Sequence, residues 1–270
     1  MTSTYFSKRP LCDIGANLTN KSFAKDLDTV IERAFDANVQ YIVITGTSVK
    51  NSQDGQALAG RFPGQLYSTA GVHPHDAKSC DAQTLPALKE LAATPEVVAI
   101  GECGLDFNRD FSPRDTQEKW FEAQLELACE LGMPVFLHER DAHQRFCDIL
   151  KGYRDKLVAA VIHCFTGTED ELRAYLDMDL HVGVTGWICD ERRGHHLREL
   201  VGQIPADRLM IETDSPYLMP RDLKPKPKNR RNEPSFLPHI LETIAECVGV
   251  PVEDVADATT QTAKTFFRLS

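Results

Sequence analysis

The sequence predicts a single-domain (β/α)8 barrel of the TIM type over residues 1–270. Three observations predict it. Eight short apolar runs alternate with segments of helical spacing. The runs are continuous rather than alternating, as expected of parallel strands covered on both faces. The length of 270 residues sits near the ~250 typical of this barrel, and no Pro-, Gly- or Ser-rich linker divides the chain. A doubly wound open sheet is the alternative. Against it, DIGANL after the first strand is not a GxGxxG fingerprint.

The first strand is expected at Leu11–Ile14. Phe23, Leu27, Val30, Ile31, Ala34 and Phe35 then share one helix face. Further strands are expected at Tyr41–Thr45, Tyr67–Val72 and Val97–Ile100. After the fourth, SPRDTQEKWFEAQLELACELG reads as a helix with a Ser112 cap and Pro113 in its first turn, stopping at Gly132. The remaining strands are expected at Val135–Leu137, Ala160–Ile162, Val182–Val184 and Leu209–Ile211. A helix over 235–248 ends at Gly249, and 252–268 adds one or two more.

Composition narrows the class. The net charge is −10 and the pI about 5.4, so the chain is no bulk electrostatic binder of polyanions, and any polyanion must meet a local basic patch. Eight cysteines, none in a CxxC pair, read as reduced thiols. No apolar run is long enough for a signal peptide or a membrane span. A cytoplasmic protein with no membrane partner is expected.

In such barrels the active site lies at the C-terminal ends of the strands. The first strand ends in Asp13, then Gly15 and Asn17. The third runs into His73-Pro74-His75, and the fourth reaches Glu102, with Asp106 just beyond. The fifth ends in His138, followed by Glu139, Arg140 and Asp141. The sixth ends in His163, and the eighth in Glu212-Thr213-Asp214. A lone histidine closing a strand is most often structural, but imidazoles and carboxylates collected at one rim converge. Glu102, His138, His163 and Asp214 supply two nitrogens and two carboxylates for a divalent metal. Mixed N/O ligands suit Mg²⁺, Mn²⁺ or Zn²⁺. Cys103 and Cys164, adjacent to presumed ligands, are expected to point to the opposite face.

GVHPHD (71–76), AIGECGLDF (99–107), VFLHERDAH (135–143), VIHCFTG (161–167) and IETDSPYL (211–218) resemble the TatD family of metal-dependent deoxyribonucleases. CDERRG (189–194) and RRNEPSFLPHIL (230–241) resemble its bacterial branch, and the likeness covers nearly the whole chain. The resemblance implies a barrel of the metallo-dependent hydrolase type. It also implies Mg²⁺-dependent 3′→5′ exonuclease action on single-stranded DNA ends, with RNA as a further substrate, and a role in DNA repair or degradation. Carried over by motif, Glu102, His138 and His163 are metal ligands, Asp214 is the catalytic acid/base or a further ligand, and His73 lies near metal or phosphate. Many family members begin D-x-H-x-H, whereas this chain has Asp13, Gly15 and Asn17. A second metal position there is expected to be weak or vestigial, so one or two ions are expected, with His73 taking part of the second ion's role and Asp214 acting as general base.

Substrate contacts are expected from KPKPKNRR, which places Lys224, Lys226, Lys228, Arg230 and Arg231 after the eighth strand, and from Arg192 and Arg193 after the seventh. The competing reading is a solvated loop. Phe107, Phe165, Trp187 and Tyr217 follow strand ends, where single-strand binders stack bases, although core packing is the commoner role. Rival functions are a small-molecule amidohydrolase on the same barrel and a non-enzymatic metal-binding scaffold. No obligate protein partner is inferred, and a monomer is expected.

Overall fold

The computed structural model describes residues 6–227 and 229–270. Of the sequence expectations, Lys228 and the first five residues lie outside them. Eight strands form one sheet in chain order: β1 (Leu11–Ala16), β2 (Val39–Ile44), β3 (Leu66–Ala70), β4 (Val97–Asp106), β5 (Val135–Arg140), β6 (Ala160–Ile162), β7 (His181–Val184) and β8 (Leu209–Ile211). β3 to β6 pair in parallel, as do β7 and β8. A parallel bridge joins Ala16, at the end of β1, to Ser215 after β8. This is the α/β order of a (β/α)8 barrel.

The helices are α1 (Leu27–Asp36), α2 (Val49–Ala59), α3 (Thr84–Ala92), α4 (Arg114–Leu131), α5 (His143–Lys151), α6 (Glu169–Asp177), α7 (His195–Leu200), α8 (Leu237–Val248) and α9 (Val252–Phe267). The segment 252–268 therefore carries one helix. The glycine stops read from the sequence occur as left-handed residues, Gly132 at φ 61° after α4 and Gly249 at φ 68° after α8. Ser112 does not cap α4. Pro113 occupies that position, and the Ser112 hydroxyl instead donates to the His75 carbonyl and accepts from the Lys78 N–H.

By contacts the chain divides into two compact units. One comprises residues up to Val43, Cys164–Arg173 and His181–Ser270; the other is Ile44–His163 with Ala174–Leu180. In the first, the apolar face of α1 (Val30, Ile31, Ala34) and that of α8 (Leu237, Ile240, Leu241, Ile244) are buried. In the second, Phe121 of α4 and Phe146 of α5 stack with ring centroids 5.1 Å apart. Both rings are fully buried, as is Phe136 of β5. Burial of such side chains contributes about 1.5–3 kcal/mol each. No described helix is long and apolar enough to cross a membrane.

Candidate active site

The second unit gathers its polar residues around Glu102. β4 runs ten residues, well past the apolar VVAI that announces it. Its pairing with β5 shifts register between Gly101 and Cys103, so Glu102 is the extra residue of a bulge. Bulges re-aim side chains and recur beside active sites. The flanking glycines are required. Gly101 has φ 134° and Gly104 φ 148°, and a Cβ at either would strike a β5 carbonyl, that of Phe136 or of His138. The Glu102 N–H donates to the Gly46 carbonyl at 2.7 Å, fixing the bulge from the other side.

One carboxylate oxygen, Glu102 Oε1, meets three imidazole nitrogens: His163 Nε2 at 2.7 Å, His138 Nδ1 at 2.9 Å and His73 Nε2 at 3.4 Å. Glu102 is 5% exposed. Burial alone would raise its pKa, but His163, His73 and His138 outweigh that and hold the carboxyl well below its ordinary range. Desolvation pushes His73 down to about 3, despite the attraction of Glu102. His73 is therefore neutral at working pH. Its Nδ1 accepts from the His75 N–H at 3.1 Å, which places the ring proton on Nε2 and makes His73 a donor.

Asp106 forms a second layer. Its Oδ2 lies 2.7 Å from His75 Nε2 and 3.5 Å from His138 Nε2. Its Oδ1 accepts from the Asn108 and Arg109 N–H groups at 3.0 and 2.8 Å. Burial opposes ionisation of Asp106, but His138, His75 and the Arg109 N–H outweigh it and lower its pKa. A carboxylate behind a histidine fixes tautomer and ring direction in metal sites. The buried His138 Nε2 faces Asp106, which leaves Nδ1, 2.9 Å from Glu102, as the nitrogen turned toward the cluster. Histidine nitrogens and Glu102 oxygen, with no thiol among them, form a donor set that fits a divalent cation. His73, Glu102 and His138 lie close enough to share one.

The other predicted residues lie in the first unit. The Asp214 N–H donates to the Gly15 carbonyl at 2.8 Å, and its Oδ1 accepts from the Asn17 amide at 2.9 Å. Asp214 adopts φ 51°. Asn17 therefore orients Asp214. Asp13 is fully buried. Its oxygens accept from Thr213 Oγ1 at 2.6 Å, the Thr213 N–H at 2.9 Å and the Gly15 N–H at 3.2 Å. Burial raises its pKa to about 7 even against these donors. Asp13 and Asn17 are thus engaged with protein partners.

The basic residues divide. Arg231 makes paired bonds to the two Asp26 oxygens at 2.7 Å each and a third to Glu233 at 2.8 Å. Arg33 also binds Glu233, through two bonds of 2.9 Å. Arg231, expected from the sequence as a phosphate contact, spends these donors on protein groups. Its donors tie the segment after β8 to α1 and the turn before it, and its guanidinium covers Phe23 at 4.8 Å. Lys226 and Arg230 are exposed and, with Arg221, line a cleft of about 400 Å³ walled by Met219, Pro220 and Leu223. Arg193 bonds Asp190 at 3.2 Å and lies over Trp187 at 4.4 Å. The Arg192 Nε is 3.7 Å from Asp190. Both arginines remain more than half exposed.

The aromatic candidates are mostly engaged. Phe107 is covered by Arg114 at 4.3 Å, Phe165 is buried, and the Tyr217 hydroxyl accepts from Asn20. Cys103 is buried, and Cys164 Sγ lies 3.8 Å from Thr185 Oγ1. None of the eight cysteines is in a disulfide. A second grouping, Cys189, Asp222 and His239, is closed by its own bonds: His239 to Asp222 at 2.7 Å, and the Cys189 thiol to Thr243 at 3.4 Å.

The sequence profile of the TatD-related DNases matches residues 12–268. The chain belongs to the TatD-related DNase family. A relative from Escherichia coli K12, named 3′-5′ ssDNA/RNA exonuclease TatD, is 55% identical over 258 residues, covering 96% of this chain and 99% of its own. A relative of the same name from Pantoea vagans is 57% identical with the same coverage. The crystal structure of a TatD family hydrolase from Entamoeba histolytica superposes with a TM-score of 0.88 at 28% identity, covering 97% of this chain and 99% of that one. The E. coli TatD homologue YjjV gives 0.87 at 25% identity, with 96% and 98% covered. The fold class is thus the TIM barrel of metal-dependent hydrolases, and the Glu102 cluster is a histidine–carboxylate group that could hold a metal ion.

Proposed function

We propose that this protein is a Mg²⁺-dependent 3′→5′ exonuclease of single-stranded DNA that also accepts RNA. The observation that carries the reading is the convergence of His163, His138 and His73 on one oxygen of Glu102. The high identity to exonucleases over nearly full length supports the substrate and polarity. A cytoplasmic setting is supported by eight cysteines in the thiol form, none in a disulfide.

Glu102, His138 and His163 would hold the ion. A divalent ion there supplies Lewis acidity toward a phosphoryl oxygen and lowers the pKa of water. Mg²⁺ is our reading of its identity. The remaining work falls to the chain. The tautomer set by the His75 N–H turns His73 Nε2–H into a donor for a phosphate oxygen, so His73 is read as a phosphate contact rather than a ligand. Asp214, oriented by Asn17, takes the proton from the attacking water. Water adds to phosphorus, the P–O3′ bond breaks, and the 3′-oxygen leaves as an alcohol after taking up a proton. The product is a nucleoside 5′-monophosphate. Lys226 and Arg230 are read as contacts to phosphates upstream, with Arg192 and Arg193 as further candidates.

The test is digestion of 5′-labelled and 3′-labelled oligonucleotides, as DNA, RNA and blunt duplex, with Mg²⁺ or EDTA. The expected result is a ladder shortening from the 3′ end of single strands, with early loss of a 3′ label and none in EDTA. Release from the 5′ end, or cuts confined to internal positions, would overturn the polarity. No metal-dependent cleavage of any nucleic acid would overturn the reading itself.

A further inference from the structure

Phe111 is 54% exposed, a phenyl ring carried into solvent on a backbone that is tied down on both sides. The Lys78 ammonium donates to the Phe111 carbonyl at 2.8 Å. The next residue, Ser112, is fully buried. Its hydroxyl bridges the Lys78 N–H and the His75 carbonyl at 3.1 and 2.8 Å, and its carbonyl accepts from the Gln117 amide at 2.9 Å. The loop after β4 is thereby clamped to the 3₁₀ turn Pro74–Ser79, which follows His73.

The ring lies against His75. Phe111 lies 4.7 Å from the His75 ring at a tilt of 58°. His75 is 4.3 Å from His73, which is 4.4 Å from His138. Among the described residues, Phe111 is the exposed large apolar side chain whose ring joins this run of imidazoles. Core packing does not explain a ring left half in water, and a pinned backbone lowers the entropy cost of ordering this loop on binding. Every nucleobase offers a π-face, so such a platform tolerates any sequence.

We infer that Phe111, with His75 beside it, is the stacking platform for a nucleobase adjoining the scissile phosphate of a single-stranded end. The inference rests on the nuclease reading above. It makes Phe111 a substrate-positioning residue that touches the base and takes no part in proton transfer. Duplex ends are then poor substrates because their terminal bases are already stacked.

The experiment compares wild type, Phe111→Ala and Phe111→Trp on a single-stranded 3′ end, and on the same end with its last two nucleotides abasic. Phe111→Ala is expected to raise KM about 10-fold with kcat near wild type, and Phe111→Trp to restore it. The abasic end should impose a similar loss on wild type and none further on Phe111→Ala, because the interaction it removes is already gone. Equal KM for wild type and Phe111→Ala would overturn the inference while leaving the nuclease reading intact. So would an abasic penalty of the same size in both proteins. A wild type that degrades neither end would overturn the nuclease reading and this inference with it.

Discussion

The Glu102 carboxylate and the His163 imidazole meet at 2.7 Å in a buried pocket, with Glu102 Oε1 also serving His138 Nδ1 at 2.9 Å. Burying a carboxylate without partners costs several kcal/mol; the rings supply partners here and bring a donor set for a cation to one point. Asp106 stands behind His138 at 3.5 Å in the position that tunes ligand basicity. Asp106→Asn is expected to weaken metal binding or activity by ~10–100-fold, while the fold, followed by circular dichroism, stays intact.

His73 separates binding from turnover. With its ring proton directed to Nε2 by the His75 N–H, it acts as a hydrogen-bond donor. His73→Ala is expected to lower kcat by about 10²-fold or more, the scale of removing one charge-stabilising donor, and to change Mn²⁺ affinity by less. Calorimetric titration beside single-turnover kinetics reads both. Equal losses would make His73 a ligand.

Arg231 belongs to stability. Its side chain is 15% exposed and bonds Asp26 and Glu233. Arg231→Ala leaves the mostly buried Glu233 short of a partner and is expected to cost about 2 kcal/mol in urea unfolding, with DNA affinity unchanged. Lys226→Ala and Arg230→Ala should leave stability alone. Each should reduce the slope of log affinity against log salt by about 0.7, the value for one phosphate of a single strand.

The same network sets a pH dependence. The Arg231 hydrogen bonds hold the Asp26 carboxyl below its ordinary value. A lowered folded-state pKa contributes stability above the unfolded value of about 4, and that contribution is lost as pH falls through the folded value. The stability gap between wild type and Asp26→Asn is therefore expected at pH 7 and should shrink toward pH 3 in urea titrations.

Much of the fold was legible because buried parallel strands announce themselves as apolar runs. β6 and β8 begin and end where those runs do. β4 was half legible. GECGLD is not apolar, yet it continues the strand, because its polar side chains face the cluster and its glycines admit β5. The convergence of His138 and His163 on Glu102 followed from their places at strand ends. The pairing of His75 with Asp106 did not, since both lie past the apolar runs that mark the strand ends. The bond of Arg231 to Asp26 was not legible, because Asp26 lies 205 positions away and a basic run reads as a solvated or phosphate-binding loop until that partner is seen. Ser112 has a capping residue's chemistry and a helix beside it, but its hydroxyl is taken by His75 and Lys78. Phe111 gave no periodic signal; only its exposure beside His75 marks it.

The account turns on Glu102 as the centre of a divalent-metal site, and calorimetric titration of Mn²⁺ into wild type and Glu102→Gln tests it most directly. Gln keeps the shape and removes the charge. Saturable binding to wild type, weakened by about 100-fold or lost in Glu102→Gln, is the predicted result. Equal Mn²⁺ affinity in the two proteins would contradict it.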